Sequence, residues 1–293
     1  AAVAGSSIGA LNAVLLAQNN VEKMQEVWRE LSAVQIFSEK KSQADGIETI
    51  IQMFGNIAEF LESATLEEYL LTGRTDGFCS RDGLMEIIDK EIDFDLVRAF
   101  PAEIYVTIAK IEQGVPVAEY HTLRDKSDED IKTLLSASSA LPVIYEDVSY
   151  GGVRYRDGGL LDNMPIKPLY DSGCRKFLIL SLSTNAKINT ELYPDAEFYL
   201  LKPYRDLGGL LSGTLNFTVS EISMNLKLGY KDGKRFIKAF LEGNQLVATH
   251  YDMYAQIDYD AVMVEMKQEE LQAGIDEKLN YMADIMKKYD VKR

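Results

Sequence analysis

An α/β domain with a mostly parallel central sheet is the fold class this sequence predicts, and three observations predict it. Segments rich in β-branched residues alternate with segments of helical periodicity over the first two thirds of the chain. "KFLILSLS" (176–183) is a near-continuous apolar run, the pattern of a parallel strand covered on both faces. Beyond about residue 185 the strands give way to acid- and Met-rich helical stretches that run to Arg293.

Taken in order, residues 1–5 read as the end of a small buried strand. Ile8–Ala17 reads as a helix, with Ala10, Ala13 and Ala17 forming a small face for close packing. "VEKMQEVWREL" (21–31) is a second, amphipathic helix. Ile47, Ile50, Ile51, Phe54, Ile57, Phe60 and Leu61 trace one helical stripe, read as a helix on the core or as a lid over an acyl-binding groove. A helix follows from Ser80, with Ser80 as its N-cap. "AEIYVTIAKI" (102–111) is a strand, and "EQGVPVAEYHTL" is a turn and a returning strand. "KSDEDIKTLLSASSALP" is a helix with Ser127 as N-cap, acids in its first turn and Pro142 as its stop. "EDVSYGGVRYRDGGLLDNMP" predicts short strands around two diglycines. "EFYLLKPY" is extended, and "NFTVSEISMNLKLGYKDGKRFIKAF" is helical.

Composition narrows the function. The 293 residues carry a formal net charge of −15, which argues against a nucleic-acid partner and against global attraction to anionic membranes. Any membrane-surface contact would have to be local and apolar. No apolar run reaches the roughly 18 residues that a spanning helix needs. Cys79 and Cys174 form no disulfide framework, and two histidines do not suit a zinc site, so neither metal nor cofactor is expected. The cysteine usage fits a reducing, cytoplasmic compartment.

The chemistry concentrates in two short stretches. Gly5-Ser6-Ser7-Ile8-Gly9 fits G-x-S-x-G, with strand residues before it and a helix after it. That pattern puts Ser7 on a tight turn, with Gly5 and Gly9 small because backbone passes close. Its hydroxyl stands above the sheet edge, and the Ile8 N–H points at a developing oxyanion near a helix N-terminus. In "YRDGGLLDNMP", Asp157 precedes Gly158 and Gly159, whose freedom lets the backbone turn the carboxylate toward another group. Tyr145, Tyr150 and Tyr155 alternate nearby, as sheet packing or as the mouth of a site.

Together "AGSSIGALNA", "SASSALP", "GVRYRDGGLLDNMP" and "LKLGYKDG" resemble the patatin-like phospholipase family in order and spacing, over most of residues 1–235. The resemblance implies a three-layer α/β/α sandwich over residues 1–235, followed by a helical extension over 236–293. It implies a lipid acyl hydrolase working on phospholipids or lysophospholipids through a Ser–Asp dyad. On this chain Ser7 would be the nucleophile and Asp157 the base. Ile8 would supply an oxyanion donor, and Gly5, Gly9, Gly158 and Gly159 would have backbone roles. The family also carries a glycine-rich oxyanion loop upstream of its nucleophile. Only six residues precede Ser7, and "LGGLLSG" (207–213) follows no suitable strand, so a missing segment of some 40 residues is expected.

Two other readings compete. The order Ser7, Asp157, His250 is that of an α/β-hydrolase triad, with His250 as base and His121 a weaker choice. A lipid- or protein-binding module that kept the fold and lost the chemistry is the non-catalytic alternative. Asn216-Phe217-Thr218 matches a glycosylation acceptor and is read as chance.

Overall fold

The computed structural model describes residues 1–30, 38–39, 79–112, 115–142, 144–208 and 218–290. The apolar stripe from Ile47 to Leu61, most of "LGGLLSG", and Asn216 and Phe217 lie outside the described residues.

The strand that organises the sheet is β4 (Glu103–Glu112). Its side chains alternate into two apolar layers, and Ile104, Val106 and Ile108 are buried. One edge of β4 carries β5 (Val115–Thr122), antiparallel, with Tyr105 opposite Thr122 and Glu112 opposite Val115. The other edge is shared by two strands placed end to end. β1 (Ala2–Ser6) runs parallel to β4, from Ala2 opposite Glu103 to Ser6 opposite Thr107. β7 (Val153–Asp157) runs antiparallel, from Tyr155 opposite Lys110 to Asp157 opposite Ile108. The last residues of β1 and β7 therefore meet at Thr107–Ile108. β6 (Val148–Tyr150) completes the sheet against β7.

The α/β class holds, and the sheet is mixed rather than mostly parallel: β1–β4 is its parallel pair. Tight hairpins are the reason. Gly151 and Gly152, with φ of 57° and 79°, form the two-residue loop between β6 and β7, a left-handed turn that returns a strand antiparallel. The apolar run at 176–183 also departs from expectation. β8 (Lys176–Leu180) pairs with β9 (Glu197–Leu201) in a separate two-stranded sheet. Phe177 is buried there and stacks on Phe198 with centroids 5.2 Å apart, while Leu178 and Leu180 are exposed. Hydrophobic content alone does not reveal which sheet a strand joins.

Helices cover the central sheet. α1 (Ile8–Ala17) buries Ala10, Ala13 and Ala17 and follows β1 without a spacer beyond Ser7. α2 (Val21–Glu30) buries Val27. α3 (Asp82–Glu91) starts one residue later than expected, with Arg81 rather than Ser80 at the N-cap position, because Ser80 pairs in the short ladder of β2 (Ser38–Glu39) and β3 (Cys79–Ser80). The Ser80 hydroxyl still accepts from the Asp82 N–H, at 3.2 Å. α4 (Phe94–Ala99) was not expected; Asp93 caps it, accepting from the N–H groups of Asp95 and Leu96. α5 (Asp128–Ser138) has the expected Ser127 cap as a full capping box with Asp130. α6 (Ile166–Asp171) follows the Asn163-Met164-Pro165 turn.

The described chain forms two compact units. The first comprises Ala1–Ser181, Lys187–Leu200 and Gly208–Val219, and the second Leu182–Ala186, Leu201–Leu207 and Ser220–Arg293. In the second unit α7 (Val219–Phe236) and the long α9 (Tyr251–Asp290) pack through Met224, Leu228 and Val262. Between them lie a π turn at Ile237–Leu241 and α8 (Gln245–Thr249). Buried Arg235 is neutralised there by Asp232 and Asp258 and lies over the Tyr251 ring. α7 thus belongs with the C-terminal helices, although the motif reading placed it before a boundary at residue 235. No helix among the described residues is long and apolar enough to cross a membrane.

The β1–α1 junction makes opposite demands of its two glycines. A Cβ on Gly5 would overlap the Gly9 carbonyl, whereas a Cβ on Gly9 would meet open space among the described residues. Gly9 therefore contributes its close backbone, not its missing side chain. Gly5→Ala is expected to cost about 3 kcal/mol or more, and Gly9→Ala to stay within about 0.5 kcal/mol of the parent, as read by chemical denaturation.

Candidate active site

Ser7 occupies the elbow between β1 and α1 with φ 54° and ψ −125°, a conformation that costs a non-glycine residue strain. A buried bridge holds it there. The Ser7 N–H donates to the Ser138 hydroxyl at 2.9 Å, and that hydroxyl donates to the Thr107 carbonyl at 2.7 Å. Ser138, in the last turn of α5, has no solvent exposure. Ser7 stands at the N-cap of α1, yet its side chain makes no capping hydrogen bond. Its hydroxyl is left for another partner, and the first N–H groups of α1 have no intrahelical acceptor.

That partner comes from the end of β7. The Asp157 N–H donates to the Ala140 carbonyl at 2.9 Å, tying the strand end to the loop after α5. Asp157 Oδ1 accepts from the Gly159 N–H at 2.7 Å, closing a tight turn that continues as a 3₁₀ segment over Gly158–Leu160. Gly158 is required for space rather than for unusual torsion: a Cβ there would overlap the Thr107 carbonyl. A Cβ on Gly159 would lie 3.1 Å from an oxygen of Asn163 and from Asp157 Oδ1. A second network braces the turn. The Ser6 hydroxyl donates to the Asp162 carbonyl at 2.6 Å, and Tyr120 donates to Asp162 Oδ2 at 2.7 Å.

Burial dominates the electrostatics of Asp157, which is 3% exposed. Loss of hydration pushes its carboxyl pKa up to about 7, against the opposing pull of hydrogen bonds from the Ser7 hydroxyl and the Gly159 N–H. Among the described residues no cationic side chain contributes to that balance. A carboxylate with a pKa near neutrality is a far better proton acceptor than a solvated aspartate.

Ser7 and Asp157 open onto an apolar cleft between α1 and α3, floored by Leu141, Ile144 and Tyr145. Of the three tyrosines singled out from sequence, Tyr145 lines the cleft. Tyr150 and Tyr155 instead cluster with His121 on the sheet, and Tyr155 donates to Glu119 at 3.2 Å. His250 belongs to the second unit, is exposed, and has Nδ1 3.1 Å from the Leu246 carbonyl. Neither histidine is among the groups that shift Asp157. Among the described residues no cluster of three His, Cys, Asp or Glu side chains is arranged to hold a metal ion.

The sequence reading named Ser7, Ile8, Asp157 and the four glycines, and the fold brings them to one junction. Within "SASSALP", Ser138 and Ala140 hold the backbones of Ser7 and Asp157, a role that the motif alone does not reveal. Ser6, Asp162 and Tyr120, which brace the aspartate turn, carry no motif-level signal in the sequence.

The described fold is an α/β sheet with a serine at a strand–helix elbow beside a buried aspartate. The family model described as Patatin-like phospholipase matches residues 1–170, more than half of the chain, and the chain belongs to that family. The family comprises lipid acyl hydrolases. No curated protein matches the chain.

The raised pKa of Asp157 has a consequence for stability. The folded state binds this proton more tightly than the unfolded chain, whose aspartate titrates near pH 4. The contribution is therefore complete below about pH 4 and is lost as pH rises through about 7. Against an Asp157→Asn variant, the thermal midpoint of the parent is expected to fall by several degrees between pH 5 and pH 8.

Proposed function

We propose that this protein hydrolyses the carboxylic esters of phospholipids or lysophospholipids through Ser7 and Asp157. The meeting of Ser7 with Asp157 where β1 and β7 end on β4 carries this reading, supported by burial that brings the Asp157 pKa near neutrality. Asp157 takes the proton from Ser7 as Oγ attacks the ester carbonyl, and the tetrahedral oxyanion forms beside the Ile8 N–H at the start of α1. The protonated Asp157 then gives that proton to the departing alcohol as the C–O bond breaks, leaving an acyl-serine. Asp157, again a carboxylate, deprotonates a water that attacks the acyl carbon. Collapse of the second tetrahedral species returns the proton to Ser7 and releases the fatty acid.

The dyad reading needs no imidazole. The Asp157 pKa supplies the basicity that histidine supplies in a triad, and His250, bonded to its own helix, has no part in the step.

Three outcomes test this with a monomeric acyl ester. Ser7→Ala and Asp157→Asn are each expected to lower kcat/KM by about 10³-fold or more, with the fold retained by circular dichroism. His250→Ala is expected to leave turnover near normal, and loss of activity in a folded His250→Ala protein would replace the dyad with a triad. The acid limb of the kcat/KM profile is expected near pH 7 rather than near pH 4.

A further inference from the structure

The cleft beside Ser7 and Asp157 is walled by helices, and its lining includes Val27 and Trp28 of α2. One wall is α1, which presents Ile8, Leu11 and Leu15, spaced i, i+3, i+7 along one face. The opposite wall is α3, which presents Leu84, Ile88 and Glu91 at a similar spacing. At the far end the Gln18 side chain, just past α1, donates to the Glu91 carbonyl at 3.1 Å and accepts from the Asp93 N–H at 3.1 Å.

Away from Ser7 and Asp157 the lining is mostly apolar, and Glu91 is the charged residue at the α3 end of it. The Glu91 side chain is 6% exposed and is ion-paired to Lys23 of α2 and to Lys90, the latter at 2.8 Å. The Lys23 ammonium, and then that of Lys90, holds the Glu91 carboxyl below the usual range, so the end of the cleft is charged at neutral pH. A terminal methyl pushed against this cluster would meet an ion-paired carboxylate instead of an apolar wall, and would gain no apolar contact there.

The helix supplies the ruler. At about 1.5 Å per residue, Ile8 to Leu15 spans roughly 10 Å and Ile8 to Gln18 roughly 15 Å. A C–C bond of about 1.5 Å advances an extended chain by roughly 1.3 Å per carbon. The apolar stretch therefore holds about eight carbons up to Leu15 and about twelve up to Gln18.

We infer that Glu91, fixed by Lys23 and Lys90, closes the acyl cleft and makes the protein select medium-chain acyl groups of roughly eight to twelve carbons. This rests on the acyl-hydrolase reading of Ser7 and Asp157. Glu91 is a specificity residue here: it meets the tail of the substrate and takes no part in the chemistry. Each methylene that enters the apolar stretch is expected to raise kcat/KM by up to about fourfold, and methylenes beyond its end by nothing.

The test is the kcat/KM of the full chain on p-nitrophenyl esters of butanoate, octanoate, decanoate, dodecanoate and hexadecanoate, each kept below micelle formation. The parent is expected to peak between octanoate and dodecanoate and to fall by about tenfold or more at hexadecanoate. Glu91→Leu, which replaces the charge with an apolar group, is expected to move the peak to longer chains. Leu15→Phe, which fills the cleft nearer Ser7, is expected to move it to shorter ones. A parent profile that is flat or still rising at hexadecanoate overturns the inference while leaving the hydrolase reading intact. A Glu91→Leu profile identical to the parent's also overturns it. No turnover on any ester overturns the hydrolase reading itself, and the inference with it.

Discussion

Everything at this site depends on two strands sharing one edge of β4 and meeting end to end. β1 reaches Thr107 in parallel and β7 reaches Ile108 in antiparallel, so both strands stop at the same point from opposite directions. Sheet hydrogen bonding then sets the separation of Ser7 and Asp157, residues 150 positions apart in sequence, without relying on flexible loops. The junction leaves no room for side chains: Gly5 must clear the backbone of α1, and Gly158 must clear the Thr107 carbonyl. The same carbonyl accepts the Ser138 hydroxyl, which in turn holds the Ser7 N–H. One peptide group of β4 therefore registers the Ser7 elbow, the aspartate turn and the end of α5.

That junction stabilises two states that the chain would otherwise avoid. Ser7 adopts a backbone conformation uncommon for a side-chain-bearing residue, and Asp157 sits nearly without solvent and, among the described residues, without a cationic partner. Both departures serve the chemistry assigned to them. The torsion of Ser7 turns its hydroxyl away from the capping position, and burial raises the basicity of Asp157. The strain is local, and around it lie the buried faces of α1, α5 and β4.

Much of this was legible in the residues. G-x-S-x-G between a strand and a helix has a direct steric meaning, and "RDGG" marked the second half of the site because an acid before two glycines is a turn. Helix starts were legible where a side chain caps them, as at Ser127. Pairing was harder to read. The run at 176–183 has the composition of a buried central strand, yet β8 pairs with β9 and exposes Leu178 and Leu180. Pairing is a long-range property, and a local pattern of apolar residues is compatible with several sheets. For the same reason Ser138 was visible as part of a motif but its hydrogen bonds were not. Glu91 was invisible because its meaning comes from Lys23, Gln18 and the end of the cleft, which only the fold assembles.

The account stands on Ser7 being a nucleophile made reactive by Asp157. The measurement that reaches this most directly is the rate of covalent labelling by a fluorophosphonate, followed across pH, with the adduct located by peptide mass spectrometry. The account requires the label on Ser7 rather than on neighbouring Ser6. The labelling rate should rise with pH through about 7 and collapse in Asp157→Asn. A label at any other serine, or an Asp157→Asn protein that labels at the parental rate, would contradict it.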